Sequence, residues 1–386
     1  MKFRMYLVII LFVGILGCQR TNKTPEINLQ AEPNRTTILN SKKIFGDFEL
    51  VRLESKDECL IDNHYKVIPT DNKIIIYTRN EILQFDYSGR FLGNLANNGK
   101  GPGEVNSIIN CIVDEKNDKL YCIQQSDQEN IHIYDLKENT FKKNIPRAIN
   151  GALGYVQLLR DSVLACFPKM DLEGKFLVYY QDLKGNFIKG IPYSIDQRDG
   201  SVLRMSPELI RGMEDEKFLY FNQKIDTLFE INSLKKKPIV SLKDVSSQNK
   251  SEMNIVDLIV NTEDFLVLCN ERFKLVKTNE GNSMIMKSKG KNFSILKWPS
   301  LELSKIDDIH FDLLGEYYKV EEKSVLNNIN NIRNKKIVLT YSSSELIDIA
   351  KSIEENSNKD PLGIVDLSKN LNENDNPVLL LGTLKK

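Results

Sequence analysis

From Asp71 onward one short pattern keeps returning, and it limits the fold more than any other feature of the chain. The first copy opens with Asp71-Asn72-Lys73 and runs through Ile74-Ile75-Ile76-Tyr77 to a polar break at Thr78-Arg79-Asn80. It continues as Ile82-Leu83-Gln84-Phe85-Asp86, the turn Tyr87-Ser88-Gly89-Arg90 and Phe91-Leu92-Gly93-Asn94-Leu95. Apolar runs with the same punctuation begin at Leu120, Ile131 and Thr140, at Val163, Phe176 and Phe187, at Lys217, Asp226 and Pro238, and at Phe265 and Phe273. The copies open near residues 71, 117, 160, 215 and 263, roughly 43 to 55 residues apart. A four-stranded propeller blade takes ~40–50 residues, whereas a two-layer sandwich does not repeat one unit at this spacing. The expectation is therefore all-β, a six-bladed β-propeller over residues 46–386.

The sixth, irregular blade is expected from Phe293–Trp298, Lys336–Thr340 and Val378–Leu384. The unassigned strand Asp47–Leu53 would complete the last blade's sheet and close the ring, which removes an open sheet edge. Between Ser343 and Asn370 the period changes. Leu346, Ile347, Ala350 and Ile353 sit at helical spacing after Ser344-Glu345, which predicts a short helix inserted in the last blade and packed on the rim.

The front of the chain reads differently. Lys2 and Arg4 precede the apolar run Leu7–Leu16. Ten residues at about 1.5 Å each reach half of a ~30 Å hydrocarbon core, which suits a signal peptide over 1–17 better than a spanning helix. The run ends in Ile15-Leu16-Gly17-Cys18, which resembles a bacterial lipobox, with Leu16 larger than the usual residue there. Lipidation of Cys18 is expected to anchor the protein to a membrane. Residues 18–45, rich in Asn, Thr, Lys, Pro and Glu, read as a flexible tether.

Lys and Arg number 53 and Asp and Glu also 53, a balance that argues against a nucleic-acid partner. Apart from Cys18 the cysteines are Cys59, Cys111, Cys122, Cys166 and Cys269, an odd number without a CxxC spacing, so no metal cluster is read. If Lys116-Asn117 centres a hairpin, Cys111 faces Cys122 directly. A pair of buried thiols and a cross-strand disulfide both remain open there.

Three segments carry a family likeness: Gly99-Lys100-Gly101-Pro102-Gly103-Glu104, Ile225-Asp226-Thr227-Leu228-Phe229-Glu230, and Asn374-Asp375-Asn376-Pro377-Val378-Leu379. With them the chain resembles the six-bladed β-propeller lipoproteins of Bacteroides-type bacteria, distantly similar to NHL and TolB-like propellers. The resemblance implies a propeller in the cell envelope, with the outer membrane as the expected location. It implies no settled activity.

Motifs for chemistry are sparse, and no catalytic residue, metal site or cofactor is read. Gly99–Glu104 lacks the Lys-Ser/Thr and the following helix of a phosphate loop, so it reads as a turn in which Glu104 binds backbone amides. His64, His132 and His310 are dispersed. Asp86, Asp135 and Asp226 at strand ends suggest side-chain-to-backbone turns, with calcium ligation as the sharper alternative. In the propeller frame, one face of the disc collects Arg79, Asn80, Lys100, Asp127, Gln128, Glu129, Asn130, Lys169, Asp171, Gln223, Lys224, Asn270, Glu271 and Arg272. From this mouth, Arg79, Asn80, Lys100, Asn130, Lys169, Gln223, Lys224, Asn270 and Arg272 are the candidate ligand-binding residues. The expected role is a membrane-anchored binding or scaffold protein for a glycan, a peptide or an envelope protein. The alternative is a propeller hydrolase or lyase acting on a sugar or lactone in the central channel.

Overall fold

The protein is described here from a computed structural model. It describes residues 24–28, 36–40, 45–62, 64–159, 162–168, 176–192, 208–211, 217–222, 227–232, 235–243, 252–261, 265–277, 284–297, 299–310, 329–333, 336–355, 360 and 362–384. The expected signal peptide and Cys18 lie outside them.

The strands run in chain order as β1 (Glu26–Asn28), β2 (Thr36–Asn40) and β3 (Phe45–Arg52), followed by β4 (Lys66–Pro69), β5 (Ile74–Tyr77), β6 (Ile82–Phe85) and β7 (Phe91–Ala96). Next come β8 (Ile108–Asp114), β9 (Lys119–Gln124), β10 (Asn130–Asp135), β11 (Thr140–Pro146), β12 (Leu153–Leu159), β13 (Val163–Pro168), β14 (Phe176–Asp182) and β15 (Phe187–Pro192). The second half holds β16 (Glu208–Arg211), β17 (Lys217–Asn222), β18 (Thr227–Asn232), β19 (Lys235–Lys243), β20 (Glu252–Asn261), β21 (Phe265–Lys277), β22 (Met284–Lys297) and β23 (Leu303–His310). β24 (Ile329–Arg333) and β25 (Lys336–Tyr341) precede the helices α1 (Ser343–Glu355) and α2 (Ile364–Ser368), and β26 (Val378–Leu384) ends the series.

Consecutive strands pair antiparallel into the sheets β4–β7, β8–β11, β12–β15, β16–β19 and β20–β23. A further sheet joins β24, β25, β26 and β3. The fold is an all-β β-propeller with few helices. Its central strands are apolar without alternation because both of their faces are covered. In β5, Ile74 and Ile76 pack toward Val338 and Leu379, while Ile75 and Tyr77 pack toward Cys111 and Leu120. Equivalent cores join β8–β11 to β12–β15, β12–β15 to β16–β19, and β16–β19 to β20–β23. Burying an Ile or Leu side chain contributes about 1.5–3 kcal/mol, so these seams are the main apolar reservoir of the fold.

The front of the chain pairs with its end. β3 lies antiparallel to β26, with Val51 opposite Leu379 and Leu50 opposite Leu380, as expected for Asp47–Leu53. Asn376, 2% exposed, fastens this junction. Its side-chain amide donates to Glu54 O (2.7 Å) and Cys59 O (2.8 Å), and its Oδ1 accepts from Ile61 N (2.8 Å).

Several expectations are corrected. Within the stretch read as a flexible tether, β1 pairs in parallel with β19 and β2 with β23, so two edges gain a strand. Edge pairing needs only backbone groups, and a polar sequence does not prevent it. Phe293–Lys297 belongs to β22 in the β20–β23 sheet rather than to the last unit, since Ser294 pairs with Lys305. α1 is confirmed, but its buried stripe is Leu346, Ile349, Ala350 and Ile353. Its cap is Ser342, which exchanges bonds with Glu345 as a capping box: Ser342 N donates to Glu345 Oε2 (2.8 Å), and Glu345 N to Ser342 Oγ (3.2 Å). None of the helices among the described residues is long and apolar enough to cross a membrane.

Candidate functional site

In a four-stranded meander the first and third turns fall at one end of the sheet, and the second turn and the exit at the other. The disc therefore has a turn face and a loop face, and the expected mouth is the loop face.

Of the candidate mouth residues, Arg79 and Asn80 lie exposed between β5 and β6, Lys100 lies exposed between β7 and β8, and Asn130 opens β10. Lys169, Gln223 and Lys224 fall outside the described residues. Asn270 and Arg272 are corrected: they sit inside β21, opposite Asn292 and Gly290, and not in a loop. The polar composition of Asn270-Glu271-Arg272 imitates a turn, but without Gly or Pro it stays extended when strands on both sides pair with it.

The loop face is largely self-satisfied. Arg79 O accepts from Ile108 N (2.7 Å), Asn80 Oδ1 from Ser107 N (3.4 Å), and Ser107 O from Gln125 N (2.9 Å). Asn130 donates its side-chain amide to Asp127 (3.1 and 3.2 Å). Arg147, 5% exposed, clamps the same loop by donating to Asn130 O (3.0 Å), Asp127 O (2.7 Å) and Gly151 O (3.0 Å). His132 Nε2 lies 3.0 Å from Asp127 Oδ2, and its buried Nδ1 has no hydrogen-bond partner among the described residues. Burial holds the His132 pKa below its ordinary value, against the pull of Asp127 and with the help of Arg147. Burial also works to raise Asp127, but bonds from Glu129 N–H, the Asn130 amide and His132 outweigh it and leave its carboxyl below the usual range.

Gly99–Glu104 behaves as a structural turn. Glu104 Oε2 accepts from Gly101 N (2.7 Å), and a Cβ on Gly99 would stand 1.9 Å from that carboxylate.

The turn face carries a cavity of about 410 Å³ between two neighbouring sheets. Thr70, Asp71, Asn72 and Lys73 of the β4–β5 turn form one wall, Val113 of β8 with Glu115 and Asp118 of the β8–β9 turn another, and Leu136 and Lys137 a third. Lys73 Nζ donates to Gln84 Oε1 (2.9 Å) and, across the seam, to Leu136 O (2.7 Å). Those two bonds use two of the three donors of an ammonium. Burial holds the Lys73 pKa below its ordinary value, with Asp118 pulling it back up. Lys336 makes the matching bridge on the previous seam, to Thr70 O (2.8 Å) and Asp71 Oδ1 (3.3 Å). Acidic Asp71, Glu115 and Asp118 thus face Lys73 and Lys137 around one space. Such a lining can hydrogen-bond hydroxyls and amides and can pair with both signs of a zwitterion.

This face was missed from sequence, although a signal for it exists. Lys73, Lys119, Lys217 and Lys336 each stand at the opening of an apolar run, in four copies of the unit. Lys119 pairs with Asp135, and that bond leads in holding the Asp135 carboxyl down at about 2. The expected turn Asp residues are found for two positions. Asp86 Oδ1 accepts from Ser88 N (2.9 Å) and Arg90 N (3.0 Å), and Asp135 Oδ1 from Lys137 N (3.0 Å) and Glu138 N (2.8 Å). Asp182, not singled out from sequence, does the same for Lys184 N and Asn186 N (both 2.8 Å), while Asp226 lies outside the described residues. Among the described residues no group of three or more His, Cys, Asp or Glu side chains is placed to hold a metal ion.

A family model described as a domain of unknown function, DUF4934, matches residues 24–383. No curated protein matches the chain. Among solved structures, the chain is similar to a Bacteroides fragilis protein assigned as exported, with a TM-score of 0.63 and 16% identity over 92% of this chain and 99% of that one. A Bacteroides thetaiotaomicron protein of unknown function aligns with a TM-score of 0.40 and 12% identity over 67% of this chain and 64% of that one. The Swd1 β-propeller domain of Myceliophteria thermophila aligns with a TM-score of 0.36 and 9% identity over 62% and 82%.

Proposed function

The chain belongs to the DUF4934 family, and we propose that it is an exported, lipid-anchored binding protein that holds a polar ligand on the turn face of its propeller. The observation that carries this reading is the cavity of about 410 Å³, whose walls come from three turns of two sheets and bear both signs of charge. Ligand sites are concave and set a few convergent polar groups on a rigid scaffold. The loop face offers less, since its described polar groups already bond one another. The ligand class is a glycan or a peptide, whose hydroxyls, amides and termini match carboxylates and ammoniums side by side.

The anchor is Cys18, supported by the ten-residue apolar run and by Ile15-Leu16-Gly17-Cys18. The cell envelope, with the outer membrane as the membrane in question, is the corresponding location. Six blades in one closed ring is part of the same proposal. It is supported by the six sheets formed among the described residues, five of them built on consecutive strands, and by the pairing of β3 with β26.

Thermal shift of the mature protein against a panel of glycans and peptides tests the binding role. A ligand at 100 times its Kd adds ~2.7 kcal/mol of stability, so a hit raises Tm. A flat response across the panel would count against a small polar ligand and leave a scaffold for a protein partner. Cys18→Ser tests the anchor: release from the membrane fraction is expected, and unchanged fractionation contradicts lipidation.

A further inference from the structure

We infer that Cys111 and Cys122 are joined by a disulfide in the exported protein. The inference rests on the export reading above and adds to it a covalent lock beneath the ligand cavity. The two residues are direct partners across the antiparallel strands β8 and β9. Directly opposed residues in such a pair have Cα atoms about 4.5 or 5.5 Å apart, and both spacings lie within the span that a disulfide bridges. Each residue is 0% exposed. Cys122 Sγ donates to Ile123 O at 3.9 Å. Around them stand Val113, Leu120 and Tyr134 of the same core, so no polar environment competes for the sulfurs. Cys166 stands opposite Val156 and Tyr179, Cys269 stands opposite Asp257 and Phe293, and Cys59 lies in a 3-10 turn, so none of them faces a cysteine across a strand.

The chemistry balances with an external disulfide as oxidant, the class that an oxidising envelope supplies. One cysteine thiolate attacks a sulfur of that disulfide and releases its first thiol. The second cysteine thiolate then displaces the other sulfur. Two S–H bonds are lost, one S–S bond forms, and the oxidant leaves as two thiols carrying the two protons. Because both sulfurs are buried, and burial disfavours the Cys111 thiolate, the exchange takes place while the chain folds and not on the finished sheet. The link closes the hairpin whose tip carries Glu115 and Asp118, which form one wall of the cavity. It therefore fixes the position of the tip.

The test is a peptide map of the full chain, alkylated without reductant after recovery from the envelope fraction. A peptide pair joining Cys111 to Cys122 is expected, two hydrogens lighter than the free peptides, with Cys59 and Cys166 alkylated. Alkylation of Cys111 and Cys122 in a chain whose leader has been cleaved overturns the inference, as does a link of either to Cys59, Cys166 or Cys269. A second arm unfolds the purified full chain and refolds it in a glutathione redox buffer. The same pair should form there, with a Tm higher by roughly 5 °C than that of the reduced chain. Failure of the pair to form on refolding contradicts the inference regardless of the route of export. An uncleaved chain retained inside the cell would instead sink the export reading, and the refolding arm would still decide the pairing.

Discussion

The two faces of the disc use similar residues to different ends. On the loop face, Asp127, Asn130, His132 and Arg147 form a closed set in which the clamp is buried and its donors end on backbone carbonyls. On the turn face, Lys73 and Lys336 also reach carbonyls across seams, and Lys336 takes up Asp71, but Asp118 and Lys137 stay exposed around an open space. The difference teaches that polar composition alone does not mark a binding face. What matters is whether the polar groups have already found partners within the fold.

The largest effect is expected from Arg147→Ala, which leaves three carbonyls of the 127–151 region without their donor. Unsatisfied buried groups cost about 1–3 kcal/mol each when water cannot reach them, so chemical denaturation should show a loss of about 3–4 kcal/mol. A loss under about 1 kcal/mol would mean that the loop face is not the rigid side. Lys73→Met keeps the packing of the aliphatic stem and removes the bonds to Gln84 and Leu136. At the rim of a cavity that water enters, about 1–2 kcal/mol is expected in the same assay.

His132 should show itself only as pH changes. Its folded pKa lies below its unfolded one, so its contribution is complete above the unfolded value of about 6.5 and is lost as pH falls from there through the folded value. Denaturation midpoints between pH 7.5 and 5 should therefore fall in the native protein and flatten in His132→Gln. An identical slope in both proteins would remove His132 from the account. The smallest effect belongs to Lys100→Ala on the loop face, which should change stability by no more than about 0.5 kcal/mol.

Much of the fold was legible because a propeller repeats its punctuation. The second and third strands of each sheet carry long apolar runs between Asp, Asn and Gly turns, as at Ile74–Tyr77 and Ile82–Phe85. The first strands were harder to read. β4 is four residues, Lys66-Val67-Ile68-Pro69, and β16 is Glu208-Leu209-Ile210-Arg211, too short for a period to register. The closing role of Asn376 was hidden for another reason. Its motif stood out, but its partners Glu54, Cys59 and Ile61 are more than 300 residues away in the chain. The site failed to emerge from sequence because a cavity between sheets depends on which turns share an end of the disc. The loop face drew attention through its loose polar stretches, and side-chain pairing inside those stretches cannot be read from composition.

The claim that the ligand sits on the turn face is tested most directly by calorimetric titration of a panel hit against two paired variants. Asp71→Ala/Lys137→Ala alters exposed groups at the cavity, together with the contact of Asp71 to Lys336, and Arg79→Ala/Lys100→Ala alters exposed groups on the opposite face. A Kd weaker by at least about tenfold, roughly 1.4 kcal/mol, is expected for the turn-face pair, and an unchanged Kd for the other. Weakening confined to Arg79→Ala/Lys100→Ala would contradict it and move the site to the loop face.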